Sequence, residues 1–229
     1  MKGKDLNRES ILALLQSKSL LKQDIHHSVI EVFKQFKKIV EEEINQIKLN
    51  ITDHRIRCVY IDKGEFEIQV FIGSDVLVFI MHSNIFRFPD ESPIWKIPYL
   101  KKDTSRGYTG MINVYNFLAA SFEQNRIDDA GYLIGRLFIN KENHFIVEGK
   151  GQLGLLFRDF GKVKLTDAVI KHVVQCSFAY ALEFDLLTPP YEMMSQVSVG
   201  QMTAISSGLH IQTGKRLGFQ FKVEDADFS

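Results

Sequence analysis

The feature that most constrains the fold is a long apolar stripe near the start of the chain. Between residues 22 and 50 the apolar side chains recur at steps of three and four: Ile25, Val29, Phe33, Phe36, Val40, Ile44, Ile47 and Ile51. This spacing is that of one face of an α-helix. The sequence therefore predicts an amphipathic helix over 22–50, preceded by a helical extension within 1–21 that contains a short helix at about 7–17.

The length of the predicted helix leaves two alternatives for its apolar face. About 28 residues at about 1.5 Å per residue give a helix over 40 Å long, which exceeds the usual length in globular proteins. In the first alternative, part of the stripe packs against a second chain, with Val29, Phe33, Phe36 and Val40 at the seam of a homodimer. In the second, the helix packs along the sheet of its own domain.

Three segments rich in Val, Ile and Phe follow the helix. They span 54–62, 65–73 and 75–83. The turn residues Asp62-Lys63-Gly64 and Gly73-Ser74-Asp75 separate them. Because such short connections cannot cross over a sheet, the segments are predicted to form an antiparallel meander. The third contains the apolar run VLVFIM, which is typical of a central strand.

The remaining elements complete an α+β prediction. They are a short strand at 84–88 that continues the meander, a helix at 111–125, a hairpin of 131–139 and 143–149, a helix at 167–184 and strands near 195–203 and 216–223. We therefore predict one α+β domain over 1–229, in which an antiparallel sheet of about five to seven strands packs against the long helix and two further helices. This order of elements resembles that of small-molecule-sensing domains of the PAS or GAF type, without a signature motif of either.

Charge and composition exclude several classes of partner. The chain of 229 residues has 28 basic and 28 acidic residues, and nucleic-acid-binding domains usually carry a basic excess. Its longest apolar run, VLVFIM, is far too short to span a bilayer, and the first 21 residues lack the pattern of a secretion signal. We expect a cytoplasmic protein with no nucleic-acid or membrane partner. The two cysteines are far apart and the histidines lack ligand spacing, so no metal site is predicted.

One glycine pattern could indicate a nicotinamide or flavin cofactor. Gly149, Gly151 and Gly154 have the spacing G-x-G-x-x-G after a strand-like segment. A dinucleotide fold needs this turn between a central parallel strand and a crossover helix. Here the strand is the predicted second arm of a hairpin, and the helix that follows ends by Gly161. We therefore expect a bend where the strand leaves the sheet, and predict no cofactor.

The segment 101–110, KKDTSRGYTG, is the predicted binding loop. It offers Lys102, Thr104 and Arg106, it contains Tyr108, and the nearby Trp95 could supply an apolar wall. Because it precedes the predicted helix 111–125, the free N–H groups of that helix favour an anion at this position. The alternative is a mobile surface loop.

A cluster of acidic residues follows the predicted helix 111–125. Glu123, Asp128 and Asp129 are accompanied by Asn125 and Arg126, and this polar composition predicts a hydrated turn.

Three functional hypotheses follow from these patterns. The leading one is a cytoplasmic, non-enzymatic, sensor-like ligand-binding or protein-interaction domain. The first alternative is an enzyme that acts on a phosphorylated or other anionic small molecule bound at 101–110, with Arg106, Tyr108 and either His82 or His144 in the site. The second is a scaffold protein that assembles through the helix 22–50.

Overall fold

A computed structural model describes residues 7–188 and 190–206. The chain begins with one continuous helical segment, made of α1 (Arg8–Leu14), a π-helical stretch (Leu15–Ser19) and α2 (Leu20–Leu49). Asn7 caps its start by accepting a hydrogen bond from the backbone N–H of Ser10. The long amphipathic helix is therefore confirmed, and the predicted separate first helix joins it without a break.

A seven-stranded antiparallel sheet forms the centre of the fold. Its strands are β1 (Cys58–Asp62), β2 (Glu67–Ile72), β3 (Asp75–Met81), β4 (Phe86–Arg87), β5 (Tyr108–Leu118), β6 (Tyr132–Asn140) and β7 (Phe145–Gly149). The order across the sheet is β1-β2-β3-β5-β6-β7, with β4 paired to the start of β5. This confirms the α+β class, the meander and the hairpin. The short piece at 84–88 pairs with β5, so it does not continue the meander in sequence order.

The predicted helix at 111–125 is wrong, because most of this segment is the central strand β5. Ile112 and Val114 are fully buried on the helix-covered face of the sheet, and the alternate residues point to the other face. Both faces are largely apolar, so the alternation of polar and apolar residues that identifies a strand is missing. The helix that remains is α4 (Ala119–Glu123), which has five residues.

The main core lies between the sheet and two helices, α2 and α6 (Asp167–Leu182). Val29, Phe33, Phe36 and Val40 belong to it, and none is more than 1% exposed. This is the packing of the second alternative for the long helix, along the sheet of its own domain. It leaves no surface at these four positions for the predicted seam with a second chain.

The end of the described chain differs from the prediction. The segment predicted as a strand near 195–203 contains α8 (Val199–Ser206), preceded by α7 (Tyr191–Met194), whereas the predicted strand 216–223 lies outside the described residues. The predicted helix at 167–184 is confirmed as α6. In the described part of the chain, no helix combines the length and the apolar character needed to cross a bilayer.

In the described part of the chain, short segments pack on the face of the sheet opposite α2 at each of its two ends. At one end, an irregular segment contains two 3₁₀ turns (Pro93–Lys96 and Thr104–Gly107) and α3 (Pro98–Lys102), and the ring of Phe88 packs 5.2 Å from that of Phe138. At the other end lies α4 with the turn that follows it. Arg106 lies at the first of these ends and Arg126 at the second.

Candidate functional site

Arg106, the centre of the predicted binding loop, is engaged by neighbouring residues. Its Nε–H donates to the Glu142 carboxylate over 2.9 Å, and its Nη1 donates to the backbone carbonyl of Tyr99 over 3.0 Å. The guanidinium also lies over the Tyr99 ring, 4.4 Å from its centroid. The Tyr99 hydroxyl donates to the second oxygen of Glu142 over 2.7 Å. These contacts attach the loop to the turn between β6 and β7.

A second ion pair attaches the loop to the same turn. The Lys141 ammonium lies 2.7 Å from the Asp103 carboxylate and donates to the Ser105 hydroxyl over 2.6 Å. Ser105 in turn donates to Asp103. We call these two sets of contacts together the clasp. Its residues are Tyr99, Asp103, Ser105, Arg106, Lys141 and Glu142.

The clasp perturbs its own ionisable groups. Hydrogen bonds from Lys141 and Ser105 hold the pKa of Asp103 far below its ordinary value. Burial raises the pKa of Glu142, but the hydrogen bonds from Tyr99 and Arg106 outweigh it, so the net pKa lies below the ordinary value. Burial raises the pKa of Tyr99 to about 12, and the adjacent Glu142 adds to that shift. The Arg106 charge predicted to bind an anion is thus compensated within the fold.

The other predicted ligand-binding residues do not gather around one cavity. The Trp95 ring packs against Arg87 at 4.5 Å and its indole N–H donates to the carbonyl of Pro89 over 2.8 Å. Tyr108 lies in β5 beneath the ammonium group of Lys18, 5.9 Å away. Lys102 and Thr104 are exposed on the surface. Since the loop leads into β5, it also lacks the helix N-terminus on which the anion prediction depended.

The histidines of the enzyme hypothesis are separated as well. The ring of His82 packs edge-on against Phe86 at 4.7 Å, and that of His144 packs against Tyr99 at 5.0 Å. His144 Nδ1 lies 3.1 Å from the carbonyl of Val163. In the described part of the chain, no cluster of His, Cys, Asp or Glu side chains has the arrangement needed to hold a metal ion.

The glycine pattern makes the predicted bend. β7 ends at Gly149 as an edge strand antiparallel to β6, and α5 (Gly151–Leu156) follows at once. Gly151 has φ +53°, and a Cβ at Gly154 would lie 2.1 Å from the carbonyl oxygen of Gly149. The glycines are therefore required for the chain to fold back on itself. An antiparallel edge strand followed by a six-residue helix lacks the geometry of a dinucleotide-binding unit.

An apolar cleft of about 330 Å³ lies beside the clasp. Ile94, Ile97 and Phe160 contribute to its walls. Lys162 and Asp159 at its edge are exposed and pair with each other at 2.8 Å. The cleft can accept an apolar group, but these two charges are compensated by each other.

A smaller cavity, of about 210 Å³, lies at the opposite end of the same sheet face. Phe117 and Phe122 contribute its aromatic wall, with their rings edge to face at 5.4 Å. Gly131 is required there, because a Cβ at this position would lie 2.3 Å from the Phe117 ring. Arg126 and Asp129, from the turn after α4, also line it. We call this the Arg126 cavity.

The guanidinium of Arg126 is buried with little compensation. Both the Arg126 and the Asp129 side chains are only 6% exposed, and the distance from Nη1 to the carboxylate is 3.6 Å. This separation is too long for a hydrogen bond. The Nε–H of Arg126 is buried and has no hydrogen-bond partner in the described part of the chain. The carboxylate of Asp129 instead accepts a hydrogen bond from Ser121 over 2.7 Å.

Sequence reasoning missed this cavity, and the prediction of a hydrated turn is wrong for its two principal residues. The turn is short and polar, but the side chains of Arg126 and Asp129 are each only 6% exposed, beside Phe117 and Phe122. The available signal was an arginine and an aspartate three positions apart, directly between two aromatic-rich segments. No family model, curated protein or solved structure matches the chain, so the case for a site depends on this geometry.

Proposed function

We propose that the protein binds a small anionic molecule in the Arg126 cavity and that this binding, without a chemical step, is its function. The observation that carries the proposal is the buried guanidinium of Arg126, whose Nε–H is unpaired. Leaving a buried charged donor without a hydrogen bond costs about 1–3 kcal/mol or more. An anion that accepts from Nε recovers this energy.

The walls of the cavity support a small ligand. Its volume of about 210 Å³ is well above the ~15 Å³ that one water molecule needs, and below the ~300 Å³ typical of sites for drug-sized ligands. Aromatic walls lower the local dielectric constant, which strengthens the attraction between a guanidinium and an anion. The cavity thus combines an aromatic wall with one positively charged group that can fix the orientation of an anion, beside the carboxylate of Asp129.

The proposal is tested by thermal unfolding with acetate, benzoate, phosphate and sulfate at matched ionic strength. A ligand at ten times its Kd adds about 1.4 kcal/mol of stability, which raises the Tm by roughly 3–6 °C in a chain of this size. We expect at least one anion to do so in the wild type, and Arg126→Gln to weaken that binding at least tenfold, because a charge-assisted hydrogen bond contributes about 1.5–3 kcal/mol.

The control is Arg136→Gln, which removes an arginine from the same sheet. Arg136 pairs with Glu148 at the exposed surface, so its loss should leave anion binding unchanged. Sulfate and phosphate stabilise most proteins by exclusion from the surface, and this general effect appears equally in all three proteins. If every anion stabilises the wild type and Arg126→Gln to the same extent, the proposed function is wrong.

A second function, assembly through the helical extension, is favoured by one observation. Five large apolar residues there are each about half exposed: Ile11, Leu12, Leu14, Leu15 and Leu20. We propose a second copy of the chain as the partner, which moves the predicted homodimer seam from 29–40 to 11–20. Light scattering should then show a dimer that Ile11→Glu with Leu15→Glu converts to a monomer, while Gln16→Glu preserves it. A monomeric wild type contradicts this proposal.

The cytoplasmic location stays a prediction. It is tested by fractionating cells that express the full chain with a C-terminal tag. Recovery in the cytosolic fraction is the expected result, and recovery with membranes or in the medium contradicts it.

A further inference from the structure

The charges around the Arg126 cavity restrict the kind of anion that fits. Arg126 supplies one positive charge, and the Asp129 carboxylate places a negative charge 3.6 Å from it. Ser121 holds that carboxylate in position with a hydrogen bond of 2.7 Å. A ligand bound to the guanidinium therefore also lies close to a fixed negative charge.

One edge of the guanidinium has a defined shape and an unmet hydrogen-bond donor among the described residues. Nη1 faces Asp129, whereas Nε on the opposite side of the fork has no partner among the described residues. The edge formed by Nε and Nη2 presents two parallel N–H groups, which match the two oxygens of a carboxylate. The rings of Phe117 and Phe122 line the same cavity and provide an apolar wall.

We infer that the ligand is a monocarboxylate with a compact apolar or aromatic body, and that Asp129 excludes dianions such as phosphate monoesters. This inference depends on the proposed function and names its ligand class. A carboxylate can accept a hydrogen bond from each of these two N–H groups while it carries a single negative charge. A phosphate monoester brings nearly two charges at pH 8, and the second is repelled by Asp129 in a site of low dielectric constant.

The test compares three probes of similar size: benzoate, phenyl phosphate and benzyl alcohol. Calorimetric titration of the wild-type protein at pH 8 should give benzoate a Kd at least tenfold below that of phenyl phosphate, with benzyl alcohol weakest. The Asp129→Asn variant keeps a side-chain oxygen that can accept the hydrogen bond from Ser121, and it loses the negative charge. The preference for benzoate over phenyl phosphate should then fall at least fivefold, through tighter binding of phenyl phosphate.

The outcomes separate this inference from the proposed function. Tighter binding of phenyl phosphate than of benzoate by the wild type overturns the inference and leaves anion binding at Arg126 intact. Equal binding of benzyl alcohol and benzoate overturns both, because the charge then plays no part. The wild-type comparison decides these cases even if Asp129→Asn fails to fold. An unchanged preference in a folded Asp129→Asn overturns the role assigned to Asp129.

Discussion

Arg106 and Arg126 lie at opposite ends of the same sheet face and differ in how their charges are compensated. Arg106 is 22% exposed at its side chain, yet it donates to Glu142 and to the Tyr99 carbonyl and stacks on a ring. Arg126 is only 6% exposed at its side chain, and the Asp129 carboxylate lies 3.6 Å from its Nη1, beyond hydrogen-bond distance. The more accessible arginine thus has its hydrogen bonds within the fold, whereas the more buried one has an Nε–H without a hydrogen-bond partner among the described residues.

The largest expected difference between the two regions is in stability. Arg106→Met combined with Glu142→Gln removes charge-assisted hydrogen bonds that join the loop to the β6–β7 turn, and should lower the free energy of unfolding by about 2 kcal/mol after allowance for partial exposure. Arg126→Met combined with Asp129→Asn replaces a poorly compensated pair and should change it by less than about 1 kcal/mol. Urea unfolding measures both.

Equal losses of unfolding free energy in the two double variants would remove the distinction between a structural and a binding arginine. Titration of the same two double variants with benzoate tests this distinction further. The clasp variant should retain binding, and the variant at Arg126 and Asp129 should lose it.

The next largest effect is in the response of the clasp to acid. Asp103 and Glu142 have folded-state pKa values below those of the unfolded chain, so the unfolded state binds more protons as the pH falls. The stability that they contribute is fully present above about pH 5 and is lost as the pH falls through the folded-state values. In Asp103→Asn, unfolding free energy should therefore fall less between pH 5 and pH 3 than in the wild type. If the curves of unfolding free energy against pH are parallel for the wild type and Asp103→Asn, the role of Asp103 in the clasp is wrong.

The smallest effect concerns the hydroxyl that holds Asp129. Ser121→Ala frees the carboxylate to turn towards Arg126, where it competes with the ligand. We expect benzoate binding to weaken about threefold, within the range of one lost hydrogen bond. Ser105→Ala in the clasp is the matched control and should leave the Kd unchanged. A loss of binding in Ser105→Ala would indicate that the two regions are coupled.

Much of the fold could be predicted because its signals are local. The turn at Asp62-Lys63-Gly64 and the spacing of Phe33, Phe36 and Val40 determine β1–β2 and α2 from residues close in sequence. β5 could not be predicted in this way. Ile112, Tyr115 and Leu118 have helical spacing by coincidence, and the pairing of β5 with β3 and β6 overrides it.

The site could not be predicted, because the two arginines look alike in sequence. Each lies in a short polar turn beside aromatic residues. What distinguishes them is the partner: Glu142 is 36 positions from Arg106 and reaches it only through the β6–β7 turn. Among the described residues, Arg126 has no such partner, and the packing of Phe117, which lines the same cavity, against Gly131 is a tertiary contact.

The most direct test of the central claim is to observe the Nε–H signals of the arginine side chains in ¹⁵N-labelled wild-type protein during titration with benzoate. We predict that the Arg126 signal moves and saturates with the calorimetric Kd, because this N–H gains a hydrogen-bond acceptor, while the Arg106 signal stays fixed by Glu142. If benzoate binds and the Arg126 signal does not move, or moves no more than that of Arg106, then Arg126 does not hold the ligand and the account is wrong.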